Sequence, residues 1–237
     1  ETVGNLHFEG LMLSFLLSAY YIYIKKKSVL NSALLFGMAV SVKLIPLVLL
    51  PMIWFRLGLR RGFKFIVTVA VINIVFFLPF FEHDFFVNIL NSLDLYFHHF
   101  EFNAGLYSLI REVGFLLVGY NLIAFIGPLL ALLSLFFILR SSFSQVDLPT
   151  TSLFILFIYL LCTTTVHPWY IIMLFGISLF SNYRFPLVWT FMVCVSYFAY
   201  ASSPVDENLA FIALEYLVVI GVFLWEYKKK RPLFDLG

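Results

Sequence analysis

The sequence predicts an all-α fold: a polytopic transmembrane helix bundle with re-entrant or broken helices and external interfacial helices. Three observations carry this. The 237-residue chain is 62% hydrophobic and only 12% charged, with a mean hydropathy of +1.00, whereas a soluble domain has about 25% charged residues. Several apolar runs approach the ~20 residues that cross a bilayer as a helix. Lysine and arginine gather at one set of loops, as cytoplasmic flanks do.

The chain reads as one transmembrane domain over 1–237, without a long-period repeat, a low-complexity segment or a soluble linker. Its net charge of +2 gives no sign of nucleic-acid binding. It starts at Glu1 with no charged leader and cleavage site, so we expect the C-terminal portion of a longer protein. Cys162 and Cys194 lie alone in apolar runs. They read as small core residues, not as a disulfide or a metal site.

The first span runs from about Phe8 to Ile24 and stops at Lys25, Lys26 and Lys27. Asn5, His7 and Glu9 make its entry polar, and positions 5 and 9 share a helix face. Leu30–Phe55 follows, apolar but with Lys43 near its middle and Pro46 and Pro51 after it. Arg56, Arg60, Arg61 and Lys64 lie beyond, so both flanks are positive. One simple span does not fit that pattern. A pair of half-helices does, in and back out, broken just after Lys43, because Pro46 lacks an N–H and disfavours helix at Ile45.

Phe65–Phe81 then runs outward, and Glu82, His83 and Asp84 open an external segment lasting to about Asn121. In it Phe85, Ile89 and Leu93, and later Leu106, Leu109, Ile110, Val113 and Leu117, recur at helical spacing. Both stretches read as helices in the interface plane. Between them sits the run His98–Asn103, HHFEFN. Leu122–Leu139 returns inward, Thr151–Thr165 goes out, and Ile171–Phe180 comes back after the VHPWY turn, 166–170. Phe185–Tyr200 goes out to a polar turn, Ser202–Asn208, and Leu209–Glu226 ends at Lys228–Arg231. With the hairpin, all of the fifteen Lys and Arg except Lys43 and Arg111 fall inside, and all five His fall outside. A simple span at 30–55 inverts every later loop.

The outer edge therefore collects His, Asn, Glu, Trp and Tyr with one Lys and one Arg, groups that bind sugar hydroxyls and phosphate. A lysine near membrane depth costs roughly 2.5–3.5 kcal/mol on insertion scales and by default marks a function. At a hairpin tip Lys43 could meet a lipid phosphate as a point charge; an interhelical salt bridge or a snorkelling side chain is the plainer alternative. His167, before Pro168, is placed to donate to a phosphate or a leaving oxygen. Trp169 and Tyr170 bind substrate beside it, or simply form an interfacial aromatic pair. Asn103 and Glu101 suit sugar hydroxyls, although Asn103 also precedes a helix as an N-cap would. Arg111 reads as a phosphate ligand or as a local partner of Glu112 or Glu101. Glu9 and His7 are the candidates for acid–base catalysis, against polar residues that merely start a helix. Glu215 faces another helix and takes no catalytic role. No nucleotide-binding, metalloprotease, serine-hydrolase or paired-cysteine metal motif is present, and no residue is assigned as a metal ligand.

Four motifs in order carry a resemblance: GNLHFEG at a span entry, KLIPLVLLP around Lys43, HHFEFNAGLYSLIRE, and HPWY between two short arms. Together they resemble the GT-C superfamily of membrane glycosyltransferases, and most of all polyprenyl-phosphate-mannose-dependent mannosyltransferases, bacterial relatives of GPI mannosyltransferase I included. The resemblance implies an inverting transfer of mannose from a polyprenyl-phosphate donor to a glycan or glycolipid acceptor. Beyond that lipid-linked donor no cofactor is assigned. It also implies an integral protein of a bacterial inner membrane with an extracytoplasmic site. The base in such enzymes is an acid after the first span, so the main catalytic carboxylate is expected upstream of Glu1. A transporter or flippase of lipid-linked sugars is the alternative, since it too uses broken helices and an intramembrane cation. A non-catalytic scaffold would leave Lys43 and His167 unexplained.

Overall fold

The computed structural model describes residues 7–201 and 206–229. Asn5, Ser202, Lys230 and Arg231, and the side chain of His98, lie outside the described residues. The described chain is helical throughout, with one isolated bridge between extended residues. In order the helices are α1 (Glu9–Lys26), α2 (Val29–Val42), α3 (Leu50–Phe77), α4 (Phe85–His98), α5 (Gly105–Val118), α6 (Ile123–Ser142), α7 (Leu148–Leu161), α8 (Ile171–Ser178), α9 (Phe185–Met192) and α10 (Leu209–Lys229). Short 3-10 turns join several of them.

Three helical stretches are long and apolar enough to cross a membrane: Ile45–Phe80, Ile123–Ser142 and Leu209–Lys229. The first is not one rod. Gly58 has φ 72° and ψ 172°, a conformation open to glycine because it has no Cβ. A Cβ on Gly62 would lie 3.2 Å from the Trp54 carbonyl oxygen, whereas residues eight apart in a straight helix are about 12 Å apart. The chain turns back on itself at Gly58.

The other break is at Lys43. Helix α2 ends at Val42, Lys43 is extended (φ −152°, ψ 145°), and a 3-10 turn restarts at Ile45 with Pro46 in its first turn. Pro46 has no N–H to offer the Val42 carbonyl, which ends the helix there, but Ile45, expected to avoid helical geometry, instead starts the 3-10 turn. Two reversals thus make three antiparallel passes from α2 to the end of α3. Phe36 packs edge-on against Phe65 at 5.4 Å, and a Cβ on Gly37 would touch Ile72 at 3.0 Å. Ser41 donates to Asn73 at 3.2 Å, and Asn73 donates to the Val69 carbonyl at 2.9 Å. Small residues let these helices approach, as in membrane packing generally.

The cation-rich end of the bundle holds a narrow cleft lined by Tyr20, Ser32, Ile53, Arg56, Phe65 and Leu148. The end of α1, the start of α2, the end of the second half-helix, the second part of α3 and the start of α7 all meet there. Both flanks of Leu30–Phe55 therefore lie at one end, as the hairpin requires. Helices α4 and α5 sit at the other end. Most described α4 side chains are exposed, Phe86, Val87 and Leu90 among them.

Some expectations need correction. Cys194 is exposed, not a core residue, because its face of the α9 extension has no helix packed on it. The outward run Phe185–Tyr200 is α-helical only to Met192 and continues as a 3-10 helix, Val193–Ala201. Asn103 does not cap α5: the N-cap position is Ala104, with no side-chain cap.

Candidate active site

At the end of the bundle opposite the Arg56 cleft, the break after α2 delivers Lys43 to the first turn of α1. Its Nζ donates to Glu9 Oε1 in an ion pair. Glu9 is fully buried, while the Lys43 side chain is 30% exposed. The second carboxylate oxygen, Glu9 Oε2, is buried and has no hydrogen-bond partner among the described residues. Lys43 Nζ also stands 5.6 Å from the centre of the Tyr170 ring, within range of a cation–π attraction.

Tyr170 comes from the loop between α7 and α8, which folds over the hairpin tip. Extended residues 163–166 bring His167 in, and Pro168 starts a 3-10 turn. His167 stacks on Trp169 at 4.4 Å on one side and on Phe102 at 4.9 Å on the other. His7 stacks on Trp169 at 3.7 Å. Burial, and then the charges of His7 and Lys43, lower the His167 pKa to about 4, so the imidazole is neutral near pH 7. Its Nδ1 is buried without a hydrogen-bond partner among the described residues. The packing role that the sequence did not suggest for His167 is its place in this aromatic stack.

The HHFEFN run lies along the same loop. Phe102 donates its N–H to the Thr164 carbonyl at 3.1 Å and accepts from the Val166 N–H at 2.7 Å. Thr165 Oγ1 donates to the Phe100 carbonyl at 3.2 Å. This is the one β-bridge among the described residues. Asn103 is buried, and its polar groups are engaged: Nδ2 donates to Glu215 at 3.1 and 3.2 Å, the backbone N–H to Glu207, and its carbonyl accepts from Tyr216. Glu207 is shifted upward by burial.

Glu101 and Arg111 form a neighbouring group. Arg111 pairs with Glu101 at 3.3 Å and with Glu112 at 3.2 Å. Tyr107 donates to Glu101 Oε2, and Asn121 donates to the same oxygen at 3.1 Å. The structure thus brings Glu9, His7, Lys43, His167, Trp169 and Tyr170 together. It sets Arg111, Glu101 and Asn103 in bonded networks beside them. Sequence reasoning missed Tyr107, Asn121 and Glu207. Tyr107 was legible as an i, i+4 neighbour of Arg111; Asn121 and Glu207 arrive from distant turns and carry no local signal. Among the described residues, no three His, Cys, Asp or Glu converge as metal ligands do.

A groove of about 870 Å³ runs between the second half-helix, α6 and α7. Leu47, Val48, Ala131, Leu135 and Ile138 make it apolar, and it reaches Thr164. The hydroxyls of Ser134 and Thr164, both on its wall, are buried without hydrogen-bond partners among the described residues. Leu47 is four residues along the chain from Lys43, and Thr164 three from His167, so the groove wall and the polar cluster share two chain segments.

Comparison with known proteins decides the family. The model of glycosyltransferase family 87 matches residues 7–164. The chain belongs to glycosyltransferase family 87. No curated protein and no solved structure gives a significant match. Family 87 membership makes the chain a glycosyltransferase, with a sugar donor and an acceptor, and its apolar helices make it an integral membrane protein. The family match favours an enzyme over the transporter reading. It covers Glu9, Lys43 and the external segment and ends before His167.

Proposed function

We propose that this family 87 enzyme moves mannose from a polyprenyl-phosphate donor to an extracytoplasmic glycan or glycolipid acceptor, with inversion at the anomeric carbon. The observation that carries the reading is the pairing of one membrane-depth cation, Lys43, with a buried carboxylate whose second oxygen has no partner among the described residues, four residues before Leu47 of the apolar groove. The groove suits an isoprenoid chain. Lys43 suits the phosphate, which a lysine binds as a point charge.

In the proposed reaction an acceptor hydroxyl oxygen attacks the anomeric carbon as the bond from that carbon to the phosphate oxygen breaks. Polyprenyl phosphate leaves, and its growing negative charge is met by Lys43 and by hydrogen bonding from His167. The hydroxyl proton passes to a carboxylate or imidazole. Glu9, through its unpartnered oxygen, and His7 are the candidates in this chain. Trp169 and Tyr170 supply flat faces for sugar. Arg111 and Glu101 act around them, holding the external segment or reaching the sugar hydroxyls at its rim, while Asn103, buried and bonded to Glu215, holds the segment from within.

The test is sugar transfer in proteoliposomes from polyprenyl-phosphate mannose. Lys43→Ala and His167→Ala are each expected to lower kcat about 100-fold, the scale of one lost transition-state donor. Ala131→Phe, which fills the groove, is expected to raise the donor KM about tenfold with little change in kcat. Wild-type turnover by both alanine variants, or transfer from a nucleotide sugar and none from the lipid donor, refutes the proposal.

A further inference from the structure

The bond network of the last span points to a second role in this site, held by a residue that touches neither Lys43 nor His167. Helix α10 lies wholly beyond the part of the chain matched by the family model. Glu215 sits six residues into it, about 9 Å along the axis, and is fully buried. An acid inside a span is unfavourable unless it is bonded, and what Glu215 bonds is specific. Both of its carboxylate oxygens accept from Asn103 Nδ2, Oε1 at 3.2 Å and Oε2 at 3.1 Å, and Oε1 also accepts from Trp189 Nε1 at 2.7 Å. The next residue, Tyr216, donates to the Asn103 carbonyl at 2.9 Å. Asn103 itself has φ +47°, a left-handed conformation that non-glycine residues hold only when the surroundings fix it.

Asn103 is bonded directly to Phe102, whose ring stacks on His167 and whose backbone bridges Thr164 and Val166. We infer that Glu215 is a positioning residue. Through Asn103 it holds the external strap, residues 100–104, against the His167 loop and so sets one wall of the site. The inference rests on placing the site around His167, but its test does not use sugar transfer, so the two fail separately.

The geometry defines a swap. Asn103→Asp sets a second carboxylate against Glu215. Adding Glu215→Gln restores one carboxylate and one amide, exchanged between the two positions. Hydrogen exchange read by mass spectrometry on the intact protein in nanodiscs reports the strap through the Phe102 and Val166 amides, both bonded across the bridge. Asn103→Asp is expected to speed their exchange at least about tenfold, and the double variant to return it to within about threefold of wild type. Exchange in α1 and α2 is expected to stay unchanged in both. Wild-type exchange in Asn103→Asp overturns the inference, and so does a double variant as fast as the single. If Asn103→Asp does not fold, Glu215→Gln alone decides. It leaves an amide nitrogen facing Asn103 Nδ2 and must raise exchange at Phe102 and Val166 about threefold or more; unchanged rates overturn the inference.

Discussion

Replacing Lys43 by Met separates what the Lys43–Glu9 pair does for the fold from what it does for the reaction. Glu9 is fully buried, and one of its oxygens already lacks a partner among the described residues. Without Lys43 the carboxylate loses its remaining ion-pair partner. Removing one member of a buried pair costs about 3–5 kcal/mol, against about 0–1 kcal/mol for an exposed pair. The partial exposure of Lys43 puts the expected loss near the lower bound, about 3 kcal/mol. For a chain of this size that is a fall in Tm of about 6–12 °C. Glu9→Gln is expected to cost less, since Lys43 reaches water. The double variant Glu9→Met, Lys43→Met removes both charges and is expected to melt within about 3 °C of wild type. The assay is thermal unfolding in detergent beside sugar transfer in proteoliposomes. A double variant that melts as low as Lys43→Met shows that no buried carboxylate was being neutralised. A double variant that regains transfer along with stability shows that Lys43 is structural, and the phosphate role falls.

The remaining predictions are independent of that pair. His167 has a folded pKa depressed from about 6.5 to about 4, so the unfolded chain binds more protons between those values. Its contribution to stability is therefore complete above about pH 6.5 and is lost as pH falls toward 4; thermal unfolding of His167→Gln should show a flatter pH dependence across that window. Gly105→Ala would bring a Cβ to 2.4 Å from the Tyr216 ring, and a rigid ring so placed should cost about 1–3 kcal/mol, read as a lower Tm. In a background without Cys162 and Cys194, cysteines at Ser28 and Arg60 should label from the same side of the membrane, and one at His83 from the opposite side. Labelling of Ser28 and Arg60 from opposite sides would undo the hairpin.

Much of the fold was legible because its causes are local. Pro46 ends a helix wherever it stands after one, and the charges around 25–27 and 56–64 state which end of each segment stays in water. Apolar spacing along Phe85–Leu93 and Leu106–Leu117 outlined α4 and α5 within a few residues. The chain reversal at Gly58 was legible only indirectly, through the arginines beside it. The cap of α5 was misread because Asn103 is a good cap by type. Its side chain is drawn instead to Glu215, more than a hundred residues away, and that competition is invisible locally.

The site divides in the same way. By itself the sequence determined that the chain is a membrane helix bundle and that Lys43 lies at a break, and it led to the expectation that His7, Glu9 and His167 share one end of it. Those conclusions follow from hydropathy, charge and proline, which act over a few residues. Only the tertiary structure decided who meets whom. It gave Lys43 to Glu9, placed His167 between Phe102 and Trp169, spent Arg111 on Glu101 and Glu112, and tied Asn103 to α10. The physical reason is that a buried charge or amide must be satisfied by whichever partner the packed helices bring within about 3 Å, and the folding of the whole chain selects that partner.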